Sequence, residues 1–274
     1  MMNTRDLLGD PVSVKIMDIV QENSRDWTLY FKMHHPNLEV TPGQFLMVWV
    51  PSVDEIPMGI CHFDHEKMGF TVRQVGEATK ALSALDVDDW MGVRGPFGSG
   101  YDLHGDSVLV VGGGIGMAPL RLLTNRLLQE ERRIDLIIGG RDASELLLYD
   151  FGNAPKNSLT VHICTDDGSR GIKGLATDVA ARLIDEQQFD SIYSCGPEMM
   201  MHKLFQLSRK HGIMFQVSLE RYMKCGCGIC GTCSMDPNGV LTCQDGPVFS
   251  GKQLEEIQEF GEYHRDEMGV KRKF

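Results

Sequence analysis

Five of the eight cysteines in this chain fall in one stretch, Cys225-Gly-Cys-Gly-Ile-Cys-Gly-Thr-Cys233 followed by Cys243. Four of them, Cys225, Cys230, Cys233 and Cys243, are spaced C-x4-C-x2-C-x9-C. The first three have the spacing of a plant-type [2Fe–2S] site, with a fourth ligand arriving later. A tight loop must then wrap a flat diamond of two irons and two sulfides and point thiolates inward. Gly226, Gly228 and Gly231 let the backbone come close and adopt positive φ, and N–H groups freed by such turns can hydrogen-bond sulfur. Two other readings compete. Structural zinc usually takes two C-x2-C pairs, and only Cys230 and Cys233 form one. Disulfides need an oxidising compartment. Cys227 has no slot in the pattern and reads as a small residue lining the loop.

A chain of 274 residues holds two or three compact units. Its net charge of −11 argues against nucleic acid, which wants basic patches. Residues 1–10 carry charges and no long apolar run, so they read as neither a signal peptide nor a membrane span, and no stretch elsewhere reaches the length of a span. The expectation is a cytoplasmic protein with no membrane partner, in which clustered cysteines mean metal rather than disulfides. Cys61, Cys164 and Cys195 stand alone and read as buried small hydrophobes.

The first third reads as all-β. Residues 12–20 and 27–33 alternate or run apolar, Gly43-Gln-Phe-Leu-Met-Val-Trp-Val-Pro51 is bounded by turn residues, and 69–75 is a further strand. Strands this close together suggest an antiparallel barrel or sandwich. Gly76-Glu-Ala-Thr79 enters a short apolar helix over 80–85. Free N–H groups and a hydroxyl there suit a pyrophosphate, and a plain helix cap explains them equally. Arg94-Gly-Pro-Phe-Gly98 reads as a turn-rich closure.

The middle reads as α/β. Ser107-Val-Leu-Val-Val111 is a buried strand, Gly112-Gly-Gly-Ile-Gly-Met-Ala-Pro119 a loop, and 120–129 a helix. Strand, glycine loop and helix form a phosphate-binding arrangement, here with G-G-G-x-G-x-A-P in place of G-x-G-x-x-G. Strands at 134–139, 160–164 and 191–194 alternate with helices at 174–184 and 198–212, which means a parallel sheet covered by helices. Ligands then sit at the carboxyl ends of the strands, where both 112–116 and Cys195-Gly-Pro197 fall. Asp166-Asp-Gly-Ser169 is first a turn and second a ribose contact. Met199-Met-Met201 packs under its loop, and Met223 either shields the cysteine loop or simply packs. His34, His35, His62 and His65 read as surface residues, and 255–273 as a charged, partly helical, solvated tail.

Taken in order, Gly76-Glu-Ala-Thr79, Gly95-Pro-Phe-Gly98, Gly112-Gly-Gly-Ile-Gly116 and Cys195-Gly-Pro197 resemble the ferredoxin–NADP reductase superfamily. Glu220-Arg-Tyr-Met-Lys-Cys-Gly-Cys-Gly-Ile-Cys230 and Cys243-Gln-Asp-Gly-Pro-Val-Phe249 narrow the resemblance to the electron-transfer subunits of NAD-dependent dihydroorotate dehydrogenases. It covers nearly the whole chain and is most specific at the cysteines. It implies an FAD-binding antiparallel barrel over 9–100, an α/β nicotinamide domain over 104–215, and a [2Fe–2S] region with a tail over 216–274. It implies metal ligands at Cys225, Cys230, Cys233 and Cys243. NAD(H) falls to Gly112, Gly113, Gly114, Gly116, Cys195, Gly196 and Pro197, and the FAD adenosine and pyrophosphate to Thr71, Val72, Arg73, Gly76, Ala78 and Thr79. The superfamily usually grips the flavin with Arg-x-aromatic-Ser/Thr; the matching stretch here is Ile56-Pro-Met-Gly59, so the backbone of Pro57, Met58 and Gly59 is left to edge the ring. The resemblance further implies a separate FMN-containing catalytic subunit, a heterotetramer, and a role in pyrimidine biosynthesis. Electrons pass from that FMN through [2Fe–2S] and FAD to NAD⁺, with no strong acid or base on this chain. The rivals are a small FAD/[2Fe–2S] subunit of another NAD(P)-linked reductase or transhydrogenase, or a non-enzymatic electron carrier. The intact 112–116 loop speaks against the carrier.

Overall fold

The computed structural model describes residues 9, 11–33, 38–64, 66–152, 154–155 and 157–274; His34, His35, His65 and most of 1–10 lie outside them. Six strands close an antiparallel barrel in the order β1-β2-β5-β4-β3-β6: β1 (Val12–Gln21), β2 (Asp26–Phe31), β3 (Phe45–Val50), β4 (Asp54–Phe63), β5 (Met68–Arg73) and β6 (Trp90–Phe97). Closure leaves no strand edge free to pair with another chain. Ile16, Leu29, Leu46, Val48, Ile60, Phe70, Val72 and Val93 fill the interior. On β3 the outward residues Phe45 and Met47 are buried as well, under the cysteine loop, which is why this strand reads as a continuous apolar run. Helix α1 (Glu77–Ser83) follows β5. The expected turn at 94–98 is instead the end of β6, where Phe97 pairs with Phe45.

The second unit is a seven-stranded sheet in the order β10-β9-β8-β7-β11-β12-β15. Its strands are β7 (Ser107–Gly113), β8 (Arg133–Gly140), β9 (Leu159–Thr165), β10 (Ile172–Lys173), β11 (Ser191–Cys195), β12 (Met214–Ser218) and β15 (Val248–Ser250). All run parallel except β15, which pairs antiparallel with β12. Val108, Val110, Leu136 and Ile138 face α2 (Met117–Gln129). Leu109, Val111 and Ile137 face α3 (Ala176–Glu186) and α4 (Glu198–His211). Helix α2 also joins the two units: Leu122 enters the barrel core, Pro119 packs against Gly59, and Arg121 donates to the Tyr30 hydroxyl at 2.7 Å.

Two short hairpins, β13 (Ser234–Met235) with β14 (Val240–Leu241) and β16 (Tyr263–Arg265) with β17 (Lys271–Lys273), complete the chain with α5 (Gly251–Leu254). The solvated tail expected over 255–273 is corrected here. Leu254, Ile257 and Phe260 belong to the core beneath α4, with Glu255, Glu256 and Gln258 exposed between them and continuous exposure only from 267 onward. The expected division at 215/216 falls inside β12. No helix among the described residues is long and apolar enough to cross a membrane.

Candidate functional site

A cleft of about 1360 Å³ opens between the barrel and the carboxyl edge of the sheet. Of the residues singled out in the sequence, Pro57, Met58, Arg73, Thr79, Gly113, Gly114, Gly196 and Pro197 lie on its wall. The other residues expected to bind FAD or NAD(H) stand behind it. The Val72 side chain belongs to the barrel core. Thr71 is buried, its hydroxyl 2.8 Å from that of Thr28 and 3.3 Å from that of Tyr149. Ala78 and Cys195 are buried, and Gly59, Gly76, Gly112 and Gly116 are off the wall.

The glycines of 112–116 divide into two kinds. A Cβ on Gly112 would lie 2.6 Å from Met117 Sδ, one on Gly113 2.7 Å from Pro197 Cδ, and one on Gly116 2.5 Å from the Cys195 carbonyl oxygen. Neighbouring β7 and β11 send their exit loops past each other at backbone contact, and no side chain fits between them. Gly114 is different: at φ +52°, its Cβ would point at Arg73 Nη1, 3.5 Å away, and at nothing nearer. Arg73 is itself held by two 2.7 Å bonds to the fully buried Asp26. Helices α3 and α4 begin on the cleft wall without a side-chain cap, so their first-turn N–H groups and dipoles face it, an arrangement suited to phosphate; α2 starts behind the wall, after a 3-10 turn over 114–116. The Thr79 hydroxyl, by contrast, is used locally: it accepts from Val75 and Gly76 N–H and donates to the Gly76 carbonyl.

Three features of the wall went unread in the sequence. Met199, Met200 and Met201 all border the cleft; Met201 is also buried in the core, and Met200 packs under the glycine loop, its Sδ 2.9 Å from where a Cβ on Gly113 would lie. Thr177, at the start of α3, has a buried hydroxyl with no partner. Arg221 is buried and bonds Glu198 on α4 at 2.7 and 3.1 Å, with Glu259 at 3.6 Å. Burial raises the Glu259 carboxyl, against the pull of Arg221. Glu220 is open to the cleft yet enclosed by protein, and that enclosure and Glu198 raise its carboxyl. Charged residues separated by 23 and 38 positions give no local signal of such a cluster. Asp166 is on the wall, and its loop is a turn closed by Gly168 N–H on the Thr165 carbonyl. Burial pushes the Cys195 thiol far above its ordinary value, as for a packed strand-end residue. His62 is half-buried and bonds Asp64 at 2.9 Å.

The cysteine loop rests on the barrel's outer wall. Met223, Phe45, Met47 and Phe97 enclose Cys233 and Cys243, while Cys230 is exposed beside Ile229, 84% exposed. Gly226, Gly228 and Gly231 all take positive φ, 71°, 79° and 70°. Those turns aim backbone N–H groups at sulfur: Ile229 and Cys230 donate to Cys225 Sγ at 3.3 and 3.4 Å, Gly228 to Cys243 Sγ at 3.2 Å, and Cys243 to Cys233 Sγ at 3.4 Å. Cys225 interacts with the thiols of both Cys227 and Cys230, and Cys243 with that of Cys233. Burial alone would raise Cys225, but the N–H groups and the Cys230 thiol bring it down to about 6. Burial and the neighbouring Cys233 push Cys243 up to about 12. All eight cysteines are free thiols. Cys227 lies between Cys225 and Arg94 and interacts with both.

Comparison with known proteins agrees with this division. Residues 110–205 match the oxidoreductase NAD-binding domain, and 220–255 the iron–sulfur cluster binding domain of dihydroorotate dehydrogenase B. The chain is 42% identical over 262 residues to a probable dihydroorotate dehydrogenase B (NAD⁺) electron-transfer subunit of Methanocaldococcus jannaschii, covering 95% of this chain and 98% of that one. It is 40% identical to the like-named protein of Methanothermobacter thermautotrophicus, covering 96% and 98%. Among solved structures, a chain of an NADH-dependent reduced ferredoxin–NADP oxidoreductase, described for flavin-based electron bifurcation, superposes with a TM-score of 0.78 at 28% identity over 91% of each chain. The cytochrome P450 reductase GcoB of Amycolatopsis shares the fold at TM-score 0.64 and 20% identity, covering 74% of this chain and 66% of that one.

Proposed function

The chain belongs to the family of dihydroorotate dehydrogenase B electron-transfer subunits, and from that premise we propose that it carries electrons from the FMN of a catalytic partner subunit to NAD⁺, with a [2Fe–2S] cluster and FAD as its resident carriers. The observation that carries the proposal is that one barrel wall bears the cysteine loop on its outer face and edges the cleft along β4. When bound, FAD exchanges electrons singly with a cluster and in pairs with a nicotinamide, which is why a flavin belongs between the two.

The residues divide the work as follows. Cys225, Cys230, Cys233 and Cys243 hold the cluster, and the glycine-turned N–H groups stabilise negative charge on its sulfurs. Pro57 and Met58 edge the flavin through backbone, since Ile56 and Gly59 offer neither a guanidinium nor a hydroxyl. The open first turn of α1 and Arg73 take the FAD phosphates. Gly114 and the turn over 114–116 that leads into α2 take the NAD pyrophosphate, with Gly113 and Gly196 beside them on the wall and Gly112, Gly116 and Cys195 shaping that floor from behind. No side chain is required as a strong acid or base. The exposed edge at Ile229 and Cys230 is the face offered to the partner, two copies of each subunit forming a heterotetramer in the cytoplasm.

Purified protein should contain two irons and two acid-labile sulfides per chain and should release FAD on denaturation. NADH should bleach the flavin anaerobically, and dihydroorotate should reduce NAD⁺ only when the FMN subunit is added. One zinc without sulfide, FMN in place of FAD, or no response to NADH would overturn the proposal. The likeness to the ferredoxin–NADP oxidoreductase chain keeps a transhydrogenase reading in view. In that reading the FMN subunit adds nothing and a second flavoprotein restores activity.

A further inference from the structure

Arg94 has no part in the cleft, yet its side chain is only 10% exposed. From β6 its guanidinium reaches across β3 to Glu55 on β4, with bonds of 2.7 and 2.6 Å. A further N–H donates to the Cys225 carbonyl at 3.2 Å. Strand pairing explains the reach. Met47 pairs with Arg94 on one side and with Pro57 on the other, so the three form a row across the outer wall, each step about 4.8 Å. The cysteine loop sits on that row: a Cβ on Gly226 would lie 2.6 Å from Met47 Cγ. Pro57, at the far end of the row, is on the cleft wall.

Given the proposed function, we infer that Arg94 is a positioning residue for electron transfer. It clamps the cluster loop to the strip of wall that edges the flavin side of the cleft, and its positive charge beside Cys225 favours the reduced, more negative cluster. Only a guanidinium does both tasks, because its planar fork fills a carboxylate with two donors and keeps others for the carbonyl. A lysine supplies the charge without the clamp; a glutamine supplies neither.

The test uses the full chain with its cofactors and compares wild type with Arg94→Lys, Arg94→Gln and Glu55→Gln. FAD content, iron content and NADH bleaching of the flavin should stay at wild-type levels in all three. The rate at which the cluster is reduced after NADH is mixed, followed by its visible absorbance, should fall by about tenfold or more in all three, since sub-ångström placement is lost. The cluster's midpoint potential, read by EPR in a dithionite titration, should fall in Arg94→Gln, stay near wild type in Arg94→Lys, which keeps the charge, and rise in Glu55→Gln, which removes the carboxylate that offsets it. Wild-type rates in the variants, or an unchanged potential in Arg94→Gln, would overturn the inference. If Arg94→Gln does not fold, the rate in Glu55→Gln decides. If wild type ignores NADH, the proposed function fails instead, and the potential of Arg94→Gln still decides this inference.

Discussion

The chain contains two glycine-rich loops, and they use glycine for opposite reasons. In 112–116 the requirement is proximity: Gly112, Gly113 and Gly116 have φ values open to other residues, but a Cβ on any of them would overlap an atom 2.5–2.7 Å away. In 226–231 the requirement is conformation. All three glycines adopt the left-handed region; bulk adds to this at Gly226, whose Cβ would lie 2.6 Å from Met47 Cγ, but around Gly231 a Cβ would meet nothing within 4 Å. The first loop presses two strand ends together and leaves one residue, Gly114, with bare backbone open to the cleft. The second winds the chain so that N–H groups point at sulfur. A nucleotide loop is thus sensitive to bulk and a cluster loop to torsion.

The largest effect expected from breaking this contrast is at the thiols. Cys225→Ser, Cys230→Ser, Cys233→Ser and Cys243→Ser should each lose the cluster's visible absorbance entirely, while Cys227→Ser keeps it. Loss in Cys227→Ser, or retention in any of the four, would redraw the ligand set. NADH should still bleach the flavin in the serine variants, because none of the four thiols lies on the cleft wall.

Next in size is a pair of substitutions inside one loop. Gly116→Val drives a side chain into the Cys195 carbonyl and the Gly196 backbone and should fail to give soluble folded protein. Gly114→Val meets only Arg73 Nη1, so the fold survives at a left-handed cost of about 1–2 kcal/mol. It should abolish flavin bleaching by NADH and leave FAD content, cluster absorbance and reduction by dithionite intact. Normal NADH kinetics in Gly114→Val would move the nicotinamide site elsewhere.

How much of this was readable in the sequence follows from the range of the forces involved. The iron–sulfur binding region was legible because clustered thiols on one short loop are a local pattern. So were the barrel strands and the βα units, whose apolar periods are set by burial on one or two faces. The end of β6 was misread because Gly95 and Pro96 carry turn preferences that barrel closure overrides. The C-terminal segment looked solvated because its charges outnumber Leu254, Ile257 and Phe260, yet those three complete the core under α4. Arg94–Glu55 and Arg221–Glu198 were invisible, since ion pairs across 39 and 23 positions depend wholly on the tertiary fold.

Arg221 ties the two loops together: it stands four residues before Cys225 and grips Glu198, the residue after Pro197. Removing it in Arg221→Met leaves buried Glu198 and Glu259 without their cation. That should destabilise the protein by about 3–5 kcal/mol in chemical denaturation. Adding Glu259→Gln should recover part of the loss, most clearly at alkaline pH. The Glu259 carboxyl is raised in the folded state, so the folded protein holds its proton longer than the unfolded chain, and stability falls as pH climbs through that window. A flat pH response shared by both variants would show that Glu259 carries no unfavourable charge.

The smallest effect isolates torsion from bulk. Gly231 is exposed, its φ is 70°, and nothing crowds it, so a substitution there changes only the left-handed preference. Gly231→Ala should cost about 1–2 kcal/mol, whereas Gly231→Asn, a residue that visits this region routinely, should stay within about 1 kcal/mol of wild type. Both are read from the denaturant midpoint at which cluster absorbance disappears. At Gly228 the added Cβ meets the flexible end of Gln244, so Gly228→Ala in a Gln244→Ala background should approach the same cost as Gly231→Ala. At Gly113 neither alanine nor asparagine should be tolerated, because the obstacle is Pro197 and not a torsion. If asparagine were no better than alanine at Gly231, the cluster loop would be limited by space after all, and the distinction between the two loops would collapse.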